Sequence, residues 1–391
     1  MQSITILGAT GSIGRSTLDV IGQHPDKYSV FALTGQRQLN RLAQQSVEFN
    51  AKYAVVTDEA SAKQLSQLIQ DLKGQTEVLF GEQALCDVAS SPQVQLVMAA
   101  IVGAAGLLPT LSAVESSKKV LLANKESLVM AGSIFMRAVQ QHGANLLPID
   151  SEHNAIFQCL PSNNDVDSQA AVKKLILSAS GGPFRTWTLE QMQSVTPEQA
   201  CAHPNWSMGN KISVDSASMM NKGLEVIEAC VLFDLPEDRV KVVIHPQSII
   251  HGLVNYADGS MLAQLGPADM RVPLSYVLAW PDRLPWATDH IDLAAIGQFD
   301  FLAVDHDRFP AVKLSRQAWQ AGGLAPAILN AANEAAVAAF LDHRIGFTDI
   351  VAAIDYALSH APSASAIHLD DVLAIDMETK TRIAAWLEER R

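Results

Sequence analysis

The first 150 residues predict an α/β fold with a doubly wound, mostly parallel sheet. Three observations carry that prediction. Short β-rich runs alternate with helical patterns. The first run ends in a glycine turn that opens a helix. The alternation continues over about 150 residues, as a doubly wound sheet requires.

The elements follow in order. Residues 4–7 (ITIL) form the first strand, and Gly8-Ala9-Thr10-Gly11-Ser12-Ile13-Gly14 leads into a helix near 16–23. Glycines let a backbone approach a pyrophosphate, and a helix N-terminus offers N–H groups to it. The spacing is G-x-x-G-x-x-G, and such a turn also occurs for backbone reasons alone. The second strand, 28–34, ends in Thr34-Gly35-Gln36-Arg37-Gln38, with an arginine and no acid. An acid there would hold a ribose 2′-hydroxyl, whereas an arginine accommodates a 2′-phosphate, so the reading is NADP over NAD. Further strands are expected at 53–57, 76–80, 94–101, 119–123 and 145–149, with helices near 39–49, 59–72, 82–90, 106–117 and 126–142. The sixth strand ends in Asn124-Lys125-Glu126, where side chains could meet both cofactor and substrate, or where Asn124 could cap the next helix.

The stretch 146–156, LLPIDSEHNAI, closes this region. Asp150 and Glu152 stand two residues apart at a strand end, so they can face one way. With a third acid they would suit a hard divalent cation such as Mg²⁺ or Mn²⁺, or they are favourable charges at a helix start.

Beyond 152, residues 162–169 read as a polar loop and 174–179 as a strand ending in Ser180-Gly181-Gly182. The segment His203-Pro204-Asn205-Trp206-Ser207-Met208-Gly209 reads as a mobile lid, or as a loop its aromatic packs down. A helix is expected from about Ser218, bringing Asn221, Lys222, Glu225 and Glu228 to shared faces. Serine, asparagine and lysine there suit a phosphate, and Glu225 could supply the third carboxylate; a solvated helix with a Lys222–Glu225 pair has the same pattern. Strands are expected at 241–245, 249–256 and 260–265, with the Asp258-Gly259 hairpin, and a helix at 269–280. The proline-rich 281–310 reads as a linker, and helices at 313–321, 325–343, 347–359 and 373–390 as an all-α end.

Composition excludes several classes. A hydrophobic fraction of 48% with 18% charged residues is globular. The net charge of −13 argues against a nucleic-acid or anionic-membrane surface, but allows a basic pocket for an anionic substrate. Cys86, Cys159, Cys201 and Cys230 have no metal-ligand spacing and fit a reducing, cytoplasmic setting. Met1-Gln2-Ser3 runs into the first strand without a secretory pattern. The uncharged run 88–114 is broken by Pro92, Gly103, Gly106 and Pro109, and reads as strand, turn and helix start rather than a membrane span.

Eight stretches together resemble the 1-deoxy-D-xylulose 5-phosphate reductoisomerase family of the non-mevalonate isoprenoid route. They are GATGSIGRSTLDV, AAIVGAAGLLPTL, LLANKESLV, LLPIDSEHNAIFQ, ASGGPFR, HPNWSMGNKISVDSASMMNKGLEVIEA, IHPQSIIH and LNAANEAAVAAF. The resemblance implies a Rossmann-like NADP-binding domain (1–150), an α+β catalytic and dimerisation domain (151–280), the 281–310 linker and a C-terminal helical domain (311–391). It implies NADPH, a divalent cation (Mg²⁺, Mn²⁺ or Co²⁺), a phosphorylated substrate and a homodimer. Asp150, Glu152 and Glu225 match metal ligands. Lys125, Ser151 and His203 match substrate contacts, and Ser180, Ser216, Asn221 and Lys222 the phosphate cradle. Trp206 and Met208 match the lid. Gly8, Thr10, Gly11, Ser12, Ile13, Asn124, Glu126 and Gly209 match cofactor contacts. Gln36-Arg37-Gln38 stands where some members carry Gly-Lys-Asn, and Ala179 where some carry glycine.

The implied reaction is rearrangement of a ketose phosphate to a branched aldehyde, by a retro-aldol/aldol route, followed by hydride reduction to 2-C-methyl-D-erythritol 4-phosphate. Lys125, Asp150, Glu152, His203 and Glu225 would form the catalytic set, with Glu152 and Lys125 candidates for moving protons. A simple NADP-dependent dehydrogenase would leave the three carboxylates without a task. A nucleotide-binding protein without chemistry would show no turnover.

Overall fold

The protein is described here by a computed structural model covering residues 1–161, 170–206, 208–286, 288, 290–362 and 368–389. The loop expected at 162–169, Ser207 in the 203–209 segment, and Arg390 at the end of the last expected helix lie outside the described residues. The chain forms two compact units: residues 1–127, 135–150 and 270–288, and residues 128–134, 151–269 and 289–391.

The first unit holds seven strands: β1 (Gln2–Leu7), β2 (Tyr28–Thr34), β3 (Tyr53–Val56), β4 (Glu77–Phe80), β5 (Leu96–Ala99), β6 (Lys119–Leu122) and β7 (Asn145–Pro148). Their spatial order is β4-β3-β2-β1-β5-β6-β7, and every pairing is parallel. Ile4, Ile6, Leu33, Leu96, Val97, Met98 and Val120 are fully buried, as expected of a parallel sheet covered on both faces. The order reverses between β1 and β5, which is the topological switch point where such sheets bind ligands. Because all strands run one way, Gly8, Gly35, Ala100, Asn124 and Asp150 follow the same C-terminal edge. The uncharged run 88–114 is the end of one helix, β5, a short turn at Ala104–Gly106 and helix Leu107–Glu115. Helix Arg271–Ala279 belongs to this unit, where Lys119 Nζ donates to the Trp280 carbonyl at 3.0 Å.

The second unit holds a four-stranded mixed sheet of order β11-β10-β8-β9: β8 (Val172–Ala179), β9 (Val240–Ile244), β10 (Ile250–Tyr256) and β11 (Met261–Leu265). β10 and β11 are antiparallel across the Asp258-Gly259 turn, where Gly259 takes φ +88° and Asp258 Oδ1 accepts from the Ser260 N–H. Helices Ser151–Cys159 and Met220–Phe233 bury Ile156, Val226, Ala229 and Cys230 against Val172, Leu175, Leu177, Val240 and Val254. Four helices follow at Ala311–Ala321, Ala325–Leu341, Phe347–Ser359 and Leu369–Glu388. Inside the proline-rich 281–310 stretch, Leu302 pairs with Ile244 as an antiparallel bridge, so part of it adds to β9. Among the described residues no helix is long and apolar enough to cross a membrane, and all four cysteines are free thiols.

One helix start differs from the expectation. A helix already runs Asn210–Ala217, breaks at Met219 in the left-handed region (φ +63°), and restarts as Met220–Phe233. The serines of 213–218 weaken the helical pattern, but a Lys211–Asp215 pair at 2.8 Å, one turn apart, supports it.

Candidate active site

In the first unit the candidate cofactor site is made of backbone. Gly8 has φ +86°, and a Cβ there would lie 2.6 Å from the Ala100 carbonyl oxygen. A Cβ on Gly14 would lie 2.4 Å from the Gly8 oxygen. Both glycines are therefore steric requirements of the turn. The turn is pinned by Thr34: its Oγ1 accepts from the Gly8 N–H, and its carbonyl from the Ala9 N–H, both at 2.8 Å. Gln45 Nε2 adds a bond to the Ala9 carbonyl at 3.2 Å. Helix Ser12–Gly22 starts at Gly11 with neither a side-chain cap nor an acid in its first turn. Its first N–H groups can thus serve an anion. Thr10 is buried beneath the turn, while Gln36, Arg37 and Gln38 are exposed after β2. Gln38 Oε1 accepts from Arg41, a cation the sequence reading did not single out.

Asn124 is fully engaged. Its Nδ2 donates to the Ile101 and Gly103 carbonyls, and its Oδ1 caps the helix Lys125–His142 by accepting from Ser127 N at 2.9 Å. A Cβ on Gly106 would collide with Asn124 Nδ2, so glycine is needed there for the amide to fit. The helix-cap role is real, and the Asn124 backbone N–H is itself bonded to the Ala99 carbonyl at 3.0 Å. Glu126 is buried in the first turn. Lys125, also buried, forms an ion pair with Asp150, the residue that closes this unit after β7.

In the second unit the candidate site is made of side chains. Ser151 Oγ donates to Glu152 Oε2 at 2.6 Å. Lys222 Nζ reaches across seventy residues of chain to Glu152 Oε1 at 2.7 Å, and also pairs with Glu225. Glu225 is wholly buried, and Asn221 donates to its other oxygen. Burial works against the Lys222 charge, but the two carboxylates more than offset it, so its pKa lies above the ordinary lysine value. The alternative of a solvated Lys222–Glu225 pair does not hold: the pair exists, but in the interior.

His153, one residue beyond Glu152, was not singled out by sequence reasoning. Its Nε2 lies 2.9 Å from the Glu225 carbonyl, and its Nδ1 is 3.3 Å from Glu228 Oε2, with both side chains buried. It braces the backbone of the buried carboxylate. The signal was available, since His153 lies within the same short motif, but its partners are more than seventy residues away.

Ser180 and His203 come together. The His203 Nδ1 accepts from the N–H groups of Asn205 (3.2 Å) and Trp206 (3.0 Å), so its proton sits on Nε2, which donates to Ser180 Oγ at 2.9 Å. Ser180 Oγ also accepts from the Gly182 N–H at 3.1 Å, leaving its own proton for an anion. Burial pushes the His203 pKa down, with Glu152 opposing, so the ring favours its neutral form. Gly181 and Gly182 both have positive φ, and a Cβ on Gly182 would press at 2.9 Å on the Ser216 carbonyl. The Ser180 loop and the Ser216 helix end are thereby packed backbone to backbone. Trp206 is half-buried with its ring 5.8 Å from that of His251, so it rests on a second histidine the sequence reading passed over. His251 is buried, and its pKa is lowered by that burial, with Glu152 opposing. Met208 is half-buried, and Gly209 is the residue from which helix Asn210–Ala217 starts.

The donor set fits a hard divalent ion. Glu152 and Glu225 present carboxylate oxygens that already hold a cation between them, and Asp150 is separated from Glu152 by a single residue of chain. The Gly8 turn fits a dinucleotide: glycine backbone close-packed against Ala100 is followed by a helix whose first N–H groups carry no side-chain cap.

Comparison with known proteins places the whole chain among relatives of one family. Residues 4–132 match the family described as 1-deoxy-D-xylulose 5-phosphate reductoisomerase, residues 146–233 its C-terminal domain, and residues 265–382 a further DXP reductoisomerase C-terminal domain. The chain is 57% identical over 392 residues to the 1-deoxy-D-xylulose 5-phosphate reductoisomerase of Pseudomonas fluorescens, covering 99% of this chain and 98% of that protein. It is 59% identical over 388 residues to that of Pseudomonas savastanoi pv. phaseolicola, with the same coverage. A DOX-P reductoisomerase crystal structure in complex with NADPH, fosmidomycin and magnesium superposes with a TM-score of 0.96 at 45% identity, covering 99% of this chain and 98% of that one. The enzyme of Zymomonas mobilis in complex with NADPH gives a TM-score of 0.90 at 47% identity, again over 99% and 98%.

Proposed function

The chain belongs to the 1-deoxy-D-xylulose 5-phosphate reductoisomerase family, and on that premise we propose how its residues divide the work. It is an NADPH- and divalent-metal-dependent reductoisomerase that converts 1-deoxy-D-xylulose 5-phosphate to 2-C-methyl-D-erythritol 4-phosphate. The observation that carries the site assignment is the buried Glu152–Lys222–Glu225 centre, a cation held by two carboxylates beside the Ser151 hydroxyl.

Asp150, Glu152 and Glu225 are the proposed metal ligands. Bound by these carboxylates, a divalent ion would supply Lewis acidity to the substrate. Ser151 orients Glu152 by donating to Oε2. Lys125 pairs with Asp150 and is placed to hold or pass a proton at its Nζ. Ser180 offers its hydroxyl proton to the substrate phosphate, with His203 and the Gly182 N–H fixing the rotor. Ser216, Asn221 and Lys222 complete that cradle. Holding the remote phosphate positions the reacting carbons. Trp206 and Met208 form the lid that excludes water from a reactive aldehyde.

NADPH would supply the hydride and would be held mainly along residues 1–150, by Gly8, Thr10, Gly11, Ser12 and Ile13 of the glycine turn, by Gln36, Arg37 and Gln38 for its 2′-phosphate, and by Asn124 and Glu126, with Gly209 a further contact outside that range. The catalytic region is 151–280, with 281–310 connecting it to the helices of 311–391. A homodimer is supported by edge strand β11, which among the described residues pairs only with β10 and on which Met261 and Leu262 are half exposed. Four free thiols suit the cytoplasm.

The test follows NADPH absorbance with 1-deoxy-D-xylulose 5-phosphate, with and without Mg²⁺ or Mn²⁺. Metal-dependent oxidation with a branched product is expected. Oxidation that survives exhaustive chelation would strip the carboxylates of their role.

A further inference from the structure

Lys222 is placed in two roles at once. The phosphate cradle needs its ammonium on an anion of the substrate, yet its ammonium lies on Glu152 and Glu225, the carboxylates assigned to the metal. Its side chain is only 4% exposed, and Glu225 beside it is fully buried. A buried charge must be paired, so each of the three groups depends on the others.

We propose that Lys222 is an exchangeable counter-cation: it holds Glu152 and Glu225 until a divalent ion takes those oxygens, then turns to the substrate phosphate, so that metal and phosphate bind with positive coupling. The inference rests on the ligand and cradle assignments above.

The geometry supports an exchange rather than shared occupancy. Lys222 Nζ is 2.7 Å from Glu152 Oε1 and closer still to Glu225 Oε2. An ion bonded to those oxygens would sit within a few ångströms of the ammonium, and like charges that close in a dry site repel strongly. The ammonium is the mobile partner, a compact charge on a four-carbon stem. Glu225, braced through its backbone by His153, is the fixed one.

The lysine's new position is also indicated. Lys222 stands in the first turn of helix Met220–Phe233, which starts at Met219 without a side-chain cap and without an acid. Ser216 lies just before it, packed against the Ser180–Gly182 loop, while Ser218 is taken up within the turn, donating to the Asp215 carbonyl and accepting from the Met220 N–H. An anion there meets hydroxyl and backbone donors, and a displaced ammonium finds the partner its burial demands. Coupling of this kind is reciprocal: metal prepares the phosphate site, and phosphate frees the carboxylates for metal.

The test uses Mn²⁺ and inorganic phosphate as probes on the full chain, with Mn²⁺ binding read by electron paramagnetic resonance. In the native protein, saturating phosphate should tighten Mn²⁺ binding about 10-fold. Lys222→Met should bind Mn²⁺ about 10-fold more tightly than the native protein without phosphate, and phosphate should no longer change that affinity. Thermal unfolding supplies a second reading: Mn²⁺ should raise the melting temperature of Lys222→Met more than that of the native protein. Native affinity that ignores phosphate, or coupling that survives Lys222→Met, would overturn the exchange. So would unchanged or weaker Mn²⁺ binding in the folded variant. Glu225→Gln separates the two levels. Loss of Mn²⁺ binding there with no Lys222 effect defeats the exchange alone, whereas retained Mn²⁺ binding defeats the ligand assignment on which it rests.

Discussion

The two halves of the candidate site are built from different materials. The nucleotide edge of the first unit is backbone: Gly8 and Gly14 are set by contacts closer than a side chain allows, and Thr34 pins the turn from the next strand. The carboxylate centre of the second unit is side chain: Glu152, Lys222 and Glu225 meet through their termini, and His153 reaches the Glu225 carbonyl from behind. The backbone site should fail when atoms are added to it. The side-chain site should fail when a charge is removed. The two failures should also stay separate, one in cofactor binding and the other in metal-dependent turnover.

Glu225→Gln should give the largest effect. It keeps the shape and removes the charge that balances Lys222, so turnover with Mg²⁺ should fall by more than the roughly 100-fold that altered outer-shell groups reach. NADPH affinity, measured by fluorescence titration, should stay within about twofold, since a charge lost from one unit need not disturb the other's backbone turn. Loss of NADPH binding would erase the distinction between the halves. Gly8→Ala should come next. It places a Cβ 2.6 Å from the Ala100 oxygen at φ +86°, a strain of at least about 1–3 kcal/mol. The melting temperature should drop and NADPH binding weaken, while Mn²⁺ affinity holds. Gly11→Ala is the control: its nearest neighbour would be the Gly8 oxygen at 3.4 Å, so the melting temperature should barely move.

The same contrast explains what the sequence disclosed. Period and punctuation located all seven strands of the first sheet, because β-rich runs and glycine turns are local signals. The Gly8 turn was legible for that reason, and so was the Asp258-Gly259 hairpin. Contacts between distant residues were not. Asn221, Lys222, Glu225 and Glu228 could be placed on one helix, but a solvated pair and a buried centre look alike until Glu152 arrives from seventy residues away. Thr34 under the glycine turn, Leu302 beside Ile244 and Asn333 Nδ2 on buried Asp215 at 2.8 Å are of the same kind. The family resemblance, not periodicity, singled out Ser180 and Ser216. It did not disclose that His203 would present Nε2–H to Ser180, because that tautomer is set by two backbone N–H groups of the following loop.

Ser180→Ala sharpens the side-chain half at lower amplitude. The hydroxyl is one neutral donor toward a charged phosphate, worth about 1.5–3 kcal/mol, so KM for the phosphorylated substrate should rise by roughly 10-fold or more. KM for NADPH should not follow. His203 would keep its two backbone donors and lose only Ser180, so the loop should remain in place and the melting temperature should change little. A matching rise in both KM values would mean that the Ser180 loop supports the cofactor as well.

Arg37→Ala tests a place where the backbone half would rely on a side chain to read its ligand. In the proposed site the glycine turn would meet the pyrophosphate, which NADPH and NADH share, so it could not tell them apart. Discrimination must come from groups near the ribose 2′ position, and Arg37 is exposed there after β2, with Arg41 one helical turn beyond Gln38. An exposed arginine on a solvated phosphate contributes less than a buried contact, and Arg41 can compensate in part. The expected change is therefore modest: a roughly tenfold narrowing of the NADPH-over-NADH preference in kcat/KM, entirely in the NADPH arm. Because the contact is screened, the native preference should itself shrink as salt is raised, and Arg37→Ala should flatten that dependence. An unchanged ratio at low salt would remove Arg37 from the cofactor site and leave Arg41 and Gln38 as the groups that read the 2′-phosphate.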